Sequence, residues 1–215
     1  MGLGENAMNE ANRQEHWENV YTSKNENEVS WFQEYPTSSI ELIALAGAGL
    51  NSAVIDIGGG ASRLVDALVK MDMRDVTVLD LSEAALGAAK RRLGHRADQV
   101  EWIIADATTW EPRRVYDIWH DRAAFHFLTD EGDRAAYVAR LTTAVKPGGH
   151  AIVATFAPDG PERCSGLPVA RYDAESLGRV LGSAFTLVES RRHHHTTPGG
   201  SEQRFQFSLF RRVGC

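Results

Sequence analysis

Val54-Ile55-Asp56-Ile57-Gly58-Gly59-Gly60-Ala61-Ser62-Arg63-Leu64 is an apolar run that meets an acid, breaks into three glycines and resumes with helical spacing. The pattern predicts strand, tight turn, helix. Glycine tolerates positive φ and lets a ligand approach the backbone, and the N–H groups that open a helix point out from its first turn. A dinucleotide fingerprint requires Gly-x-Gly-x-x-Gly. Gly58 and Gly60 fill its first two places, but Arg63 stands in the third. What remains is acid-x-Gly-x-Gly, with Asp56 at the strand end beside the turn, and a carboxylate there suits an ammonium rather than a pyrophosphate.

Outward from this stretch, the first strand spans Ala53–Ile57 and is followed by a helix from about Ser62 to Met71. Asp75–Asp80 is a second strand, apolar between its acids as a strand covered on both faces should be. Asp80 follows Asp56 by 24 residues, close to the ~20-residue interval at which an acid ends the second strand of a nucleotide fold and bonds ribose hydroxyls. Ser82 caps a helix over Glu83–Leu93, stopped by Gly94. The third strand is Val100–Ile104, followed by Ala105-Asp106-Ala107. The fourth, Val115–His120, runs into Asp121-Arg122. Asp130 or Thr129 caps a helix reaching Val145, Lys146-Pro147-Gly148-Gly149 is a stop and turn, and His150–Phe156 is the fifth strand. Ala157–Arg171 is a loop long enough to be a functional candidate. Asp173 caps a short helix to about Gly182. Phe185–Ser190 and Arg204–Phe210 have no helix between them and so should pair antiparallel at one edge. The alternation predicts a doubly wound α/β sheet with its site at the carboxyl ends of the first strands.

Upstream, residues 1–8 are small or polar and expected to be disordered. Asn9–Tyr21 is helix-permissive, with Trp17, Val20 and Tyr21 on one face, and Val29-Ser30-Trp31-Phe32 brings aromatics back after a polar stretch. Residues 1–36 thus read as an N-terminal helix and aromatic segment that serves as a lid over the first strand or as a plug on its flank. The main domain is 37–215. It opens with a helix in which Ser38 and Glu41 have capping-box spacing, ending near Ala46.

The composition, 43% apolar and 24% charged with net charge −6, is that of a globular chain and argues against a broad nucleic-acid surface. Neither a signal-peptide pattern nor an apolar run of ~18 residues is present, so neither export nor a membrane span is expected. Cys164 and Cys215 imply no disulfide framework, which points to the cytoplasm. Consecutive His193, His194 and His195 lack the i, i+4 spacing of a helical metal pair and read as a solvated loop, so no metal is expected. Cys164 reads as a plain thiol, and Arg191-Arg192 and Arg211-Arg212 as solvated strand ends.

Taken in order, Val54–Gly60, Val78-Leu79-Asp80-Leu81-Ser82, Ala105-Asp106-Ala107, Tyr116-Asp117-Ile118-Trp119 and Lys146-Pro147-Gly148-Gly149 resemble the class I S-adenosylmethionine-dependent methyltransferases, over Trp17 to Arg212. Trp17 to Trp31 and Trp119-His120-Asp121-Arg122 resemble the small single-domain branch of thiopurine- and chalcogen-type enzymes and methyltransferase-like lysine enzymes. The resemblance implies a Rossmann-like seven-stranded sheet, last strand antiparallel, in a three-layer αβα fold. It implies S-adenosyl-L-methionine as methyl donor: Gly58 and Gly60 under its methionine and ribose, Asp56 on its ammonium, Asp80 on both ribose hydroxyls. Asp106 would take the adenine amino group, Ala107 would give a backbone N–H to the ring and Leu81 would pack on it. Ser62 replaces the third glycine of the fuller motif. Trp17, Tyr21 and Trp31 could offer π faces to the sulfonium.

In-line methyl transfer rests on orientation and needs no metal. His120, Asp121 and Arg122, just past the fourth strand, are the catalytic candidates. Asp121 could accept from an amine, and Arg122 could pair with a substrate carboxylate or with Asp121. The expected function is methyl transfer to nitrogen or sulfur of a small molecule, with a protein lysine as the alternative acceptor. A nicotinamide-dependent oxidoreductase and a non-catalytic donor-binding module are readings from other classes.

Overall fold

Strands with nearly continuous apolar runs need cover on both faces, and helices between them supply it. The computed structural model describes residues 10–214, so the expectations for 1–8 and for Cys215 lie outside the described residues. Five parallel strands, β1 (Ala53–Ile57), β2 (Asp75–Asp80), β3 (Val100–Ile104), β4 (Tyr116–Arg122) and β5 (Val145–Phe156), are joined by β8 (Phe185–Thr196) and β9 (Glu202–Arg212). The seven-stranded order is β3-β2-β1-β4-β5-β9-β8, with β9 antiparallel to both neighbours. Chain order reverses between β1 and β4, which opens a crevice at their carboxyl ends.

Among the described residues the α-helices are α1 (Glu10–Ser23), α2 (Thr37–Leu45), α3 (Leu64–Lys70), α4 (Glu83–Leu93), α5 (Glu131–Ala144) and α6 (Ala174–Leu181). On one face Leu42 and Ile43 of α2, Leu64 and Leu68 of α3 and Leu86 of α4 pack on Val54, Val78 and Ile118. On the other, Tyr137 and Leu141 of α5 and Leu177 of α6 pack on Ile55, Ile57 and Trp119. Side chains of a strand alternate between faces, so successive residues of β1 and β4 enter opposite layers.

Local hydrogen-bonding signals held where no tertiary contact competed. Ser82 accepts from Ala85 N at 3.1 Å, Asp130 from Gly132 N at 2.8 Å and Asp173 from Ser176 N at 2.7 Å. The capping box at Ser38 did not form: its hydroxyl meets His193 Nδ1 at 3.2 Å, Glu41 pairs with Arg191 at 2.7 Å, and Pro36 is the cap residue. The helix after the glycine turn begins later than expected, at Leu64.

Lys146–Gly149 is not a turn between elements but an irregular start to β5, with a register shift opposite Tyr116 and Ile118. There Lys146 Nζ reaches Asp117 at 2.9 Å, tying two of the motifs together. His193–His195 lie in β8 rather than a solvated loop, His195 being buried with Nε2 2.8 Å from Ser30 O. The loop after β5 carries a two-residue ribbon, β6 (Arg163–Cys164) against β7 (Leu167–Pro168). Arg191 and Arg192 are paired, with Glu41 and Asp159, rather than only solvated.

Candidate active site

Register sets the first half of the site. Asp56 and His120 are cross-strand partners in β1 and β4, both directed to the face where α2 lies. His120 Nδ1 is 2.7 Å from Asp56 Oδ1 and its Nε2 is 2.8 Å from Ser39 Oγ. A carboxylate only accepts, so Nδ1 carries a proton and donates it to Asp56. The other oxygen, Asp56 Oδ2, is buried with no hydrogen-bond partner among the described residues. Such an atom is costly unless a donor arrives.

The glycine turn leaves room above it. A Cβ on Gly59 would stand 2.6 Å from Asp56 Oδ2, and one on Gly60 would stand 2.9 Å from Asp80 Oδ2. Gly58 and Gly60 have φ of +63° and +45°, so both positions favour glycine on conformational grounds as well. Asp80 closes β2 with Oδ1 accepting from Ser82 N at 2.8 Å. Burial, with the nearby Asp56 and Glu18 carboxylates adding to it, pushes Asp80 up to about 7. Asp106, past β3, accepts from Thr108 N and Oγ1 at 2.8 and 2.7 Å and from Arg13 Nε at 2.9 Å.

These groups face one cavity, whose empty space including its open mouth is about 1050 Å³. Its walls bring together Trp17, Tyr21, Trp31, Asp56, Gly58, Asp80, Leu81, Asp106, Ala107 and Arg122. Gly60 sits behind the Asp80 carboxylate. Sequence reasoning missed Arg13, Phe127 and Phe205 on the wall and the position of Cys164 there. Arg13 was within reach of it, being four residues before Trp17 on the same helical face. Phe205 comes from β9 with no local signal.

The roof is α1 and the segment after it. Trp17 stacks edge-on against Trp31 and Phe127 with centroids 5.7 and 4.8 Å apart. No residue of α1 is fully buried, and ionic contacts fasten it. Arg13 pairs with Asp106 at 2.8 Å and Asp133 at 2.7 Å. Glu18 accepts from Ser82 Oγ at 2.7 Å and Ala84 N at 3.2 Å at the start of α4. Beyond the helix, Glu26 pairs with Arg63 and Arg92.

His120 and Asp121 do not face the cavity, which corrects their placement as substrate-facing groups. His120 serves Asp56 from within the α2 layer. Asp121, one residue on, points into the opposite layer, where its carboxylate accepts from Tyr137 Oη at 2.6 Å and Ala124 N at 2.8 Å. Tyr137 Oη in turn accepts from Trp119 Nε1 at 2.8 Å. Tyr137→Phe therefore strands the buried Trp119 Nε1, at ~1–3 kcal/mol, and removes one donor from Asp121, which keeps Ala124 N and Phe125 N. The expected result is a clear fall in urea midpoint.

Arg122 does line the cavity. Its Nη1 donates to Trp31 O at 2.9 Å, and no ion pair with Asp121 forms. Cys164 is buried and burial pushes its thiol up to about 11, so it is protonated at neutral pH. No cluster of His, Cys, Asp and Glu that could hold a metal occurs among the described residues, and no helix there is long and apolar enough to cross a membrane.

Residues 54–149 match the family model described as "Methyltransferase domain". A trans-aconitate 2-methyltransferase of Methylobacterium radiotolerans is 33% identical over 55% of this chain and 43% of its own length. A ribosomal RNA small subunit methyltransferase A of Rhodopseudomonas palustris is 38% identical over 69% of this chain and 51% of its own. The chain thus spans about half the length of the curated relatives it matches. Among solved structures, the Burkholderia thailandensis 1,6-didemethyltoxoflavin-N1-methyltransferase, crystallised with S-adenosylhomocysteine, superposes with a TM-score of 0.74. It is 20% identical, over 98% of this chain and 93% of the other. Motif order and sheet topology agree with that match: residues 54–149 carry a methyltransferase domain, set in a Rossmann-like seven-stranded sheet.

Proposed function

We propose that the protein transfers a methyl group from S-adenosyl-L-methionine to nitrogen or sulfur of a small molecule. The observation that carries this reading is the buried, partnerless Asp56 Oδ2 above the bare backbone of Gly59, which fits an ammonium and leaves no space for a side chain. His120 keeps that carboxylate aimed, and Asp80 accepts from ribose hydroxyls. Asp106 shares its outer oxygen between Arg13 and an adenine amino group. Leu81 and the Ala107 backbone border the ring. When bound, the donor supplies a methyl on a cationic sulfur, and the faces of Trp17, Tyr21 and Trp31 favour such a charge by ~0.5–2 kcal/mol. The roof over 10–36 acts as a lid on the body at 37–214, holding the reactants in line and keeping water out.

The relatives' names point to different acceptors, an acid and an RNA. A cavity roofed by a clasped helix favours a small molecule over either RNA or a protein lysine. Calorimetric titration with S-adenosylhomocysteine and with oxidised nicotinamide dinucleotide separates the donor readings, with saturable binding expected only for the former. Methyl-labelled donor in a cell lysate separates the acceptors, with label expected in the small-molecule fraction. Dinucleotide binding, or label confined to protein, overturns the assignment.

A further inference from the structure

The acidic groups of the cavity are accounted for by the donor, and one cationic group is not. Arg122 ends β4 and contributes to the cavity wall together with Trp31, Phe127 and Phe205. Its one hydrogen bond goes to a neutral carbonyl, Trp31 O. The carboxylates whose field reaches it most directly begin with Asp56, which lies beyond ion-pair distance and already accepts from His120. Asp121, its neighbour in sequence, is consumed in the opposite layer. A guanidinium stays charged at any working pH, and its planar fork matches a carboxylate with two parallel hydrogen bonds.

The rest of the wall narrows the ligand further. Trp31, whose carbonyl Arg122 meets, and Phe127 and Phe205 present apolar surface to the same cavity. Among the described residues no histidine lines the cavity, and its Cys164 and Tyr21 are held protonated by burial. A substrate amine arriving as an ammonium would meet the like charge of Arg122 with no base to neutralise it.

We propose that Arg122 is the specificity-determining residue of the acceptor half of the cavity and that the acceptor is a small organic anion, its carboxylate paired with Arg122 and its apolar body against Trp31, Phe127 and Phe205. This rests on the reading of the other half as the donor site. Lysine side chains and other cationic acceptors are excluded by the same charge.

The test uses the whole chain saturated with S-adenosylhomocysteine and three probes of one shape: benzoate, benzamide and benzylamine. Benzoate is expected to bind at least about tenfold more tightly than the other two. Arg122→Gln should erase that preference while leaving S-adenosylhomocysteine affinity within about twofold, a separation that a guanidinium merely balancing Asp56 would not give. Equal binding of the amide or amine, no saturable benzoate binding, or a benzoate preference that survives in Arg122→Gln overturns the proposal. Failure of S-adenosylhomocysteine to bind the wild-type protein overturns the donor reading beneath it, and is seen before any probe is added.

Discussion

Asp80→Asn is expected to weaken S-adenosylhomocysteine binding at pH 8 by about tenfold or more, ~1.4 kcal/mol at least, while raising the melting temperature of the ligand-free protein. Both follow from one buried carboxylate. Burial raises Asp80 from the ordinary 3.8 to about 7. A folded-state value above the unfolded one means that its contribution to stability is full below pH 3.8 and is lost as pH rises through about 7. At pH 8 the ionised group is a burden on the fold, which the neutral amide removes. Two ribose hydroxyls donating to the carboxylate reverse the balance, because they favour the charged form. Ligand binding below pH 7 must then release a proton. In the wild type, affinity should be about tenfold weaker at pH 6 than at pH 8 and flat above, a slope missing in Asp80→Asn. Titrations in two buffers of different ionisation enthalpy check this, and a flat wild-type profile across pH 6–8 would refute the assignment of Asp80 to the ribose.

Gly59→Ala should cost both stability and ligand. The added Cβ would meet Asp56 Oδ2 at 2.6 Å, Val78 Cγ1 at 2.7 Å and Asp56 Cγ at 3.0 Å. Neither neighbour can yield cheaply: Val78 is fully buried in the core and Asp56 is held by His120. Overpacking of this kind costs ~1–3 kcal/mol, which for a domain of this size lowers the melting temperature by roughly 2–12 °C. The same methyl covers the partnerless oxygen, so calorimetry should detect no S-adenosylhomocysteine binding in the folded fraction. Gly49→Ala, where nothing lies within 4 Å, is the neutral control. Retention of full affinity in Gly59→Ala would show that the ligand does not use this cradle.

The acids, glycine turn and cap that border the cavity were legible in the sequence because they depend on short-range facts. An acid at a strand end, a glycine turn and a hydroxyl cap each declare themselves within a few residues, as Asp56, Gly58–Gly60 and Ser82 do. The Arg122 side of the cavity was less so. In sequence His120, Asp121 and Arg122 stand together just past an apolar strand, but β4 continues to Arg122, and alternation sends the first two into opposite layers. Only the third reaches the crevice, a distinction of register that a run of polar residues does not encode. Ser38 failed as a cap for a related reason: a partner 155 residues away, His193, took its hydroxyl. Phe205 and Cys164 enter through β9 and the ribbon after β5, whose placement depends on the finished sheet. Lys146–Gly149 looked like a terminator because glycine and proline punctuate locally, whereas pairing with β4 recruited it as a bulged strand start.

The fastening of α1 divides the molecule into two parts that answer to different solvents. The body beneath is held by two apolar layers, on whose packing dissolved ions act little. The roof has no deeply enclosed side chain on its helix and hangs from guanidinium–carboxylate clasps at Arg13 and Arg92, contacts that mobile ions weaken over a Debye length of ~8–10 Å. Ionic strength is therefore a dial on how long the doorway stays shut, turning without any change in the room behind it.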